Sequence, residues 1–144
     1  MTTAAPASRV DRTALIAVLA GVAIVLGGWR DPVTLVAGVA LGMGGVVLAL
    51  RSRSTEVTPA ARSSRSYLGG LLALVVTMAL VRVVVAFLLD MQIGSLLADG
   101  ASLSTIDAEA RDFTIALRVL RDLEAFTSVV FLAAALWQYR RKAG

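Results

Sequence analysis

Residues 67–89, YLGGLLALVVTMALVRVVVAFLL, are apolar without a break except at Arg82. Wound as an α-helix the run spans ~34 Å, enough to cross a hydrocarbon core ~30 Å thick. Arg82 stands seven residues before its end, ~10 Å inside the boundary of a straight helix. A guanidinium at that depth costs on the order of 3 kcal/mol. The rest of the chain therefore has to let it reach an interface, line a wet cavity or supply a carboxylate.

Three further apolar runs suit the same setting. The first, 14–29, ALIAVLAGVAIVLGGW, ends on Trp29, a residue favoured at membrane interfaces. It has no small-residue cleavage site of the signal-peptide kind, so it reads as a retained helix. Arg30-Asp31-Pro32 is a sharp connector, with Asp31 as cap and Pro32 at the first position of the next helix. The second run is 33–50, VTLVAGVALGMGGVVLAL. Ala17/Gly21, Ala23/Gly27 and Gly38/Gly42 have the small-xxx-small spacing that lets helix backbones approach. Gly38 and Gly42 are thus expected at a close helix contact. The last run, 125–139, AFTSVVFLAAALWQY, is short for a crossing, so the span is expected to start near Phe113. Ser104 with Asp107 resembles a capping box. The absence of Gly and Pro over 101–143 predicts one long helix from about Thr105 to the end of the span. Ile106, Phe113, Leu117 and Leu120 fall on one face of it.

These readings give an all-α integral membrane protein with four transmembrane helices and a long fourth helix. Its segments are a disordered tail at 1–12, a helical hairpin at 13–50, a basic linker at 51–66, the third span at 67–89, an acidic linker at 90–112, the fourth span at 113–139 and a basic tail at 140–144. Ser64 or Ser66 is expected to cap the third helix, and residues 91–98 to form at most a short interfacial turn. Composition agrees: 58% of the chain is hydrophobic and its mean hydropathy is +0.81, against about 45–50% apolar residues in a soluble domain. Arg9, Arg12, Arg51, Arg53, Arg62, Arg65, Arg140, Arg141 and Lys142 all fall on one side of a four-crossing chain. The positive-inside rule makes that side, with both termini, cytoplasmic. The Ala-, Val- and Arg-rich, Lys-poor composition is that expected of a GC-rich prokaryotic genome, and the location expected is a cell membrane.

Chemistry is mostly excluded. With no cysteine and no histidine, the chain lacks a thiol nucleophile and the usual base, haem ligand and metal ligands. There is no phosphate loop, and the basic linker has no interleaved aromatics to mark a nucleic-acid binder. No catalytic, cofactor or metal site is expected. The expected partners are the lipid bilayer and other membrane subunits, or further copies of the chain. One constellation stands out. Asp122 and Glu124 fall on the fourth helix at a depth matching Arg82, and lie two residues apart, ~200° around a helix, so one alone can face it. Asp122 is the first choice and Glu124 the second. The function expected is that of a non-enzymatic accessory or assembly subunit packing through Gly/Ala faces. The alternative is a small transporter or channel using Arg82 with Asp122 or Glu124.

Overall fold

The computed structural model describes residues 12–52 and 59–143. They form four α-helices and, among them, no strand: α1 Arg12–Gly28, α2 Pro32–Ser52, α3 Pro59–Ala98 and α4 Leu103–Ala143. Two of them are long and apolar enough to cross a membrane, α2 over Pro32–Arg51 and α3 over Ser66–Ala98. The apolar α1 is shorter, at 17 residues. The tail at 1–11 and the centre of the basic linker, 53–58, lie outside the described residues.

Several boundaries differ from the sequence reading. Ser66 and Ser64 do not start the third helix, which begins at Pro59. Proline is favoured there because the first helical N–H has no intrahelical partner to lose. The stretch read as a linker over 90–112 is helical except at 99–102, and 91–98 is the last two turns of α3 rather than a separate turn. The stop is a Schellman arrangement: Ala101 N–H donates to the Leu96 carbonyl at 3.0 Å and Gly100 N–H to the Leu97 carbonyl at 3.2 Å. Gly100 takes φ +72°, a left-handed conformation that only glycine adopts without strain. The cap of α4 is Ser102, two residues before the expected Ser104. Its carbonyl accepts the Ile106 N–H at 3.1 Å and its Oγ lies 3.4 Å from the Thr105 nitrogen. From there α4 runs unbroken for 41 residues.

Helices α1 and α2 pack most closely, α2 also lies against α4, α4 against α3, and α1 barely meets α3. The first contact is made by glycines. A Cβ on Gly21 would lie 2.6 Å from the Gly38 carbonyl oxygen and 2.6 Å from the Gly42 nitrogen. Gly38 faces Val25 and the Gly21 carbonyl in return, whereas a Cβ on Gly42 would enter open space. One step along α2, Gly44 leaves room for the Phe131 ring of α4, which is fully buried.

The seam between α3 and α4 follows a heptad. On α3 it runs Leu68, Leu72, Val75, Ala79, Arg82, Ala86, Leu89, Ile93, Leu96; on α4 it runs Ile106, Ala110, Phe113, Leu117, Leu120, Glu124, Ser128, Phe131, Ala135. Every one of these residues is buried or half-buried. The alternating steps of four and three are those of an antiparallel coiled coil. Both helices outrun the others. Sixteen residues of α3 follow Arg82, ~24 Å of helix, and they pair with the first half of α4 alone.

Gly21→Ala is expected to be the most damaging single-methyl addition in the chain, because its neighbours are backbone atoms that cannot rotate away. Overpacking of this kind costs typically 1–3 kcal/mol. Gly42→Ala is expected to be tolerated. Paired thermal melts of the two variants in one detergent check the contrast.

Candidate functional site

The turn between α1 and α2 places the first components. Asp31 caps α2: its Oδ2 accepts from the Thr34 N–H at 3.2 Å and from the Thr34 hydroxyl at 2.6 Å. The Thr34 side chain is thereby turned inward, and the residue is buried. Its oxygen then lies 3.5 Å from Nη1 of Arg82, the single charge in the apolar run of α3. The rest of that guanidinium meets α4. Nη2 of Arg82 donates to Oε1 of Glu124 at 3.2 Å, and Nε stands 3.1 Å from Oε2. The Nε–Oε2 approach is close but not aligned as a hydrogen bond, so one aligned bond and one ionic contact hold the pair. The Glu124 side chain is 1% exposed and that of Arg82 24%.

Geometry explains how the pair forms across antiparallel helices. Helical side chains lean toward their own N-terminus. Arg82 and Glu124 therefore lean in opposite absolute directions along the seam and can meet between levels. Two hydroxyls beside them are satisfied locally. Thr127 donates to the Leu123 carbonyl and Ser128 to the Glu124 carbonyl, each at 2.8 Å.

Asp122 is not the partner of Arg82. Its side chain is 58% exposed and lies 3.0 Å from Nη2 of Arg121. Arg121 also reaches Oδ1 of Asp31 at 3.2 Å. A continuous polar chain results: Asp122, Arg121, Asp31, Thr34, Arg82, Glu124. It ties the α1–α2 turn to α3 and α4. The sequence reading took Asp31 as a cap alone and missed Thr34; the available signal was the Asp-Pro-Val-Thr spacing, which points a hydroxyl back at the cap. Gly38 and Gly42 lie some distance along α2 from this chain, in the α1–α2 contact. At the opposite end of the bundle Arg51 Nη1 donates to Gln138 Oε1.

Hydrogen bonds from the Thr34 hydroxyl, and secondarily from the Thr34 and Val33 N–H groups and the charge of Arg121, hold the Asp31 carboxyl below its ordinary range against a small opposing effect of burial. Among the described residues no group of three acidic, histidine or cysteine side chains is placed to hold a metal. The arrangement offers a sealed ion pair and an exposed charged flank, not a nucleophile or an acid–base couple facing a substrate cavity. No protein-family model, no curated protein and no solved structure matches the chain.

Two outcomes follow. Arg82→Ala and Glu124→Ala are each expected to cost about 3–5 kcal/mol, because each leaves a buried charge alone, and the double variant to recover part of the loss. Unfolding of the three variants in detergent provides the cycle. Asp31 gives a pH signature. Its folded-state pKa lies below the unfolded value, so its contribution is complete at neutral pH and is lost as pH falls through the unfolded and then the folded value. Asp31→Asn should flatten the fall in melting temperature between pH 6 and pH 3; an unchanged slope would count against the cap as its source.

Proposed function

We propose that the chain is a four-pass cell-membrane protein with both termini cytoplasmic, serving as a non-enzymatic accessory or assembly subunit. Membrane residence is supported by what α3 exposes. Only 11% of its most apolar window is buried within the chain, whereas the core helix of a water-soluble protein would be mostly covered. Large apolar side chains also face outward on the other helices, among them Leu19, Leu26, Val39, Met43, Phe126 and Leu136.

The charges set the limits of the apolar slab. The polar chain from Asp122 to Glu124 marks one limit, and Arg51, Gln138, Arg140 and Arg141 mark the other. Between Thr34 and Arg51 α2 rises ~26 Å, near the thickness of a hydrocarbon core. No charged residue falls within 13–29, 33–50, 67–81 or 125–139. On this reading Arg82 sits at the edge of the slab rather than ~10 Å inside it, which removes most of its insertion cost. The excess of arginine beyond the other limit supports cytoplasmic termini.

The observation that carries the accessory role is the part of α3 beyond this edge. Val83, Val84, Phe87, Leu88, Met91 and Leu97 are exposed there. Their α4 neighbours include Asp107, Glu109, Arg111, Asp112 and Arg118. A hairpin with one apolar and one charged outer side suits neither bulk lipid nor bulk water. A contiguous apolar face of that kind is what a protein partner covers. A photo-crosslinking residue at Phe87, introduced into the full chain in native membranes, is expected to give one discrete protein adduct. The same residue at Leu19, in the lipid belt, should give none. Lipid adducts alone at both positions would defeat the accessory reading, and the adduct's mass separates a second copy from a different subunit.

The transporter reading draws on one observation, a carboxylate almost wholly removed from solvent and held by an arginine. It requires proteoliposome flux that Glu124→Gln abolishes without unfolding the protein. The accessory reading expects no flux from the unaltered chain.

A further inference from the structure

Two clefts meet at Arg82 and Ala86. The first, about 410 Å³, lies between α1 and α3. It exists because these helices scarcely touch and present small side chains to each other, Ala20, Ala23 and Gly27 on one side and Ala79 and Ala86 on the other. Its walls are apolar apart from Arg82, with Ile24, Val76 and Leu80 completing the trough. From Ala20 to Gly27 the trough runs ~11 Å along α1.

The second cleft, about 370 Å³, opens on the far side of Arg82 between α3 and α4. Arg82, Arg118 and Arg121 line it with Ala86, Thr114 and Leu117. Three guanidiniums share this wall and no carboxylate does. Glu124, Asp31 and Asp122 engage Arg82 and Arg121 from outside the wall. Arg118 has no hydrogen bond or ion pair with any described residue. Thr114 spends its hydroxyl proton on the Ala110 carbonyl at 2.8 Å, so the cations do the recognising. Guanidinium is the side chain best shaped to hold phosphate oxygens.

We infer that the joined clefts bind one anionic phospholipid, its phosphate against Arg118 and Arg121 and an acyl chain in the α1–α3 trough. Charge complementarity selects the headgroup, and the apolar trough leading away from it into the slab selects a chain-bearing anion over free phosphate. The placement rests on the four-pass reading, since it puts Arg118 about one turn outside the slab edge, at headgroup height, with the trough inside.

The test uses the full chain in a zwitterionic detergent, with phosphatidylglycerol, phosphatidylcholine and inorganic phosphate as probes and native mass spectrometry as readout. Phosphatidylglycerol should bind saturably with one equivalent, at least tenfold tighter than phosphatidylcholine. Arg118→Gln should weaken it at least fivefold without changing the melting temperature, because Arg118 supports nothing else in the fold. Ala23→Phe, which fills the trough, should weaken the lipid and leave inorganic phosphate unaffected. Equal binding of both lipids overturns the proposal. So does competition by millimolar phosphate together with indifference to Ala23→Phe, which would make this a free-anion site. Alkaline carbonate extraction of native membranes reports separately on residence. Release of the protein defeats the four-pass reading and the lipid site with it, whereas retention without lipid discrimination defeats the lipid site alone.

Discussion

The contact between Arg82 and Glu124 fixes how the two long helices meet. The seam of α3 is built largely of Leu, Ala and Val at heptad spacing, and such a seam tolerates sliding by whole heptads. A slip of seven residues would set Arg82 against Leu117 or Phe131 in place of Glu124. Either leaves two buried charges without partners, a cost of several kcal/mol. An apolar pair at these positions would pack at least as well, and buried ion pairs are weak sources of stability for that reason. What the pair supplies is choice of register. The register in turn decides which residues of α4 face the α1–α2 turn, and so whether Arg121 can reach Asp31.

The same contact marks a change of environment. On one side of it four helices surround one another with no charge in their apolar runs; on the other, two helices continue alone. The Gly21–Gly38–Gly42 contact keeps α1 close to α2, and Gly44 admits Phe131 from α4. With α1 drawn toward α2, α1 and α3 are left apart, and the apolar trough between them opens. The close packing of one pair of helices and the gap beside it are therefore a single feature of where the small residues fall.

Much of this was legible in the sequence. The long unbroken α4 was readable because nothing over 101–143 stops a helix, and the α2 start because Asp-Pro is a strong cap. The partner of Arg82 was misjudged between two candidates, and the reason is instructive. The depth argument weighed Asp122 and Glu124 by their distance along the helix. Their azimuth was also available. Ile106, Phe113, Leu117 and Leu120 already define a four-three spacing whose next member is Glu124, while Asp122 falls about 200° away from it. The extents of α3 were hidden for a different reason. Residues 59–66 and 90–98 are too polar or too mixed to read as helix by periodicity. They become helical because each continues an already nucleated helix, where adding a residue costs far less than starting one.

Arg121 shows why the polar chain is more than the sum of its pairs. It bridges Asp31 on the turn and Asp122 beside it, and Asp31 in turn orients Thr34 toward Arg82. Removing the charge of Arg121 would free Asp31 to turn outward and would leave the Thr34 hydroxyl without its fixed acceptor. The consequence would appear at Arg82, two links away, as a lost donor contact in a site nearly closed to water. A linear chain of this kind transmits orientation, because each member has one well-placed partner on either side. The turn between the two short helices and the seam between the two long ones are thus set by one network, with Thr34 as its narrowest link. That link is also its longest hydrogen bond, 3.5 Å, so the short and long hairpins are coupled most weakly where they join.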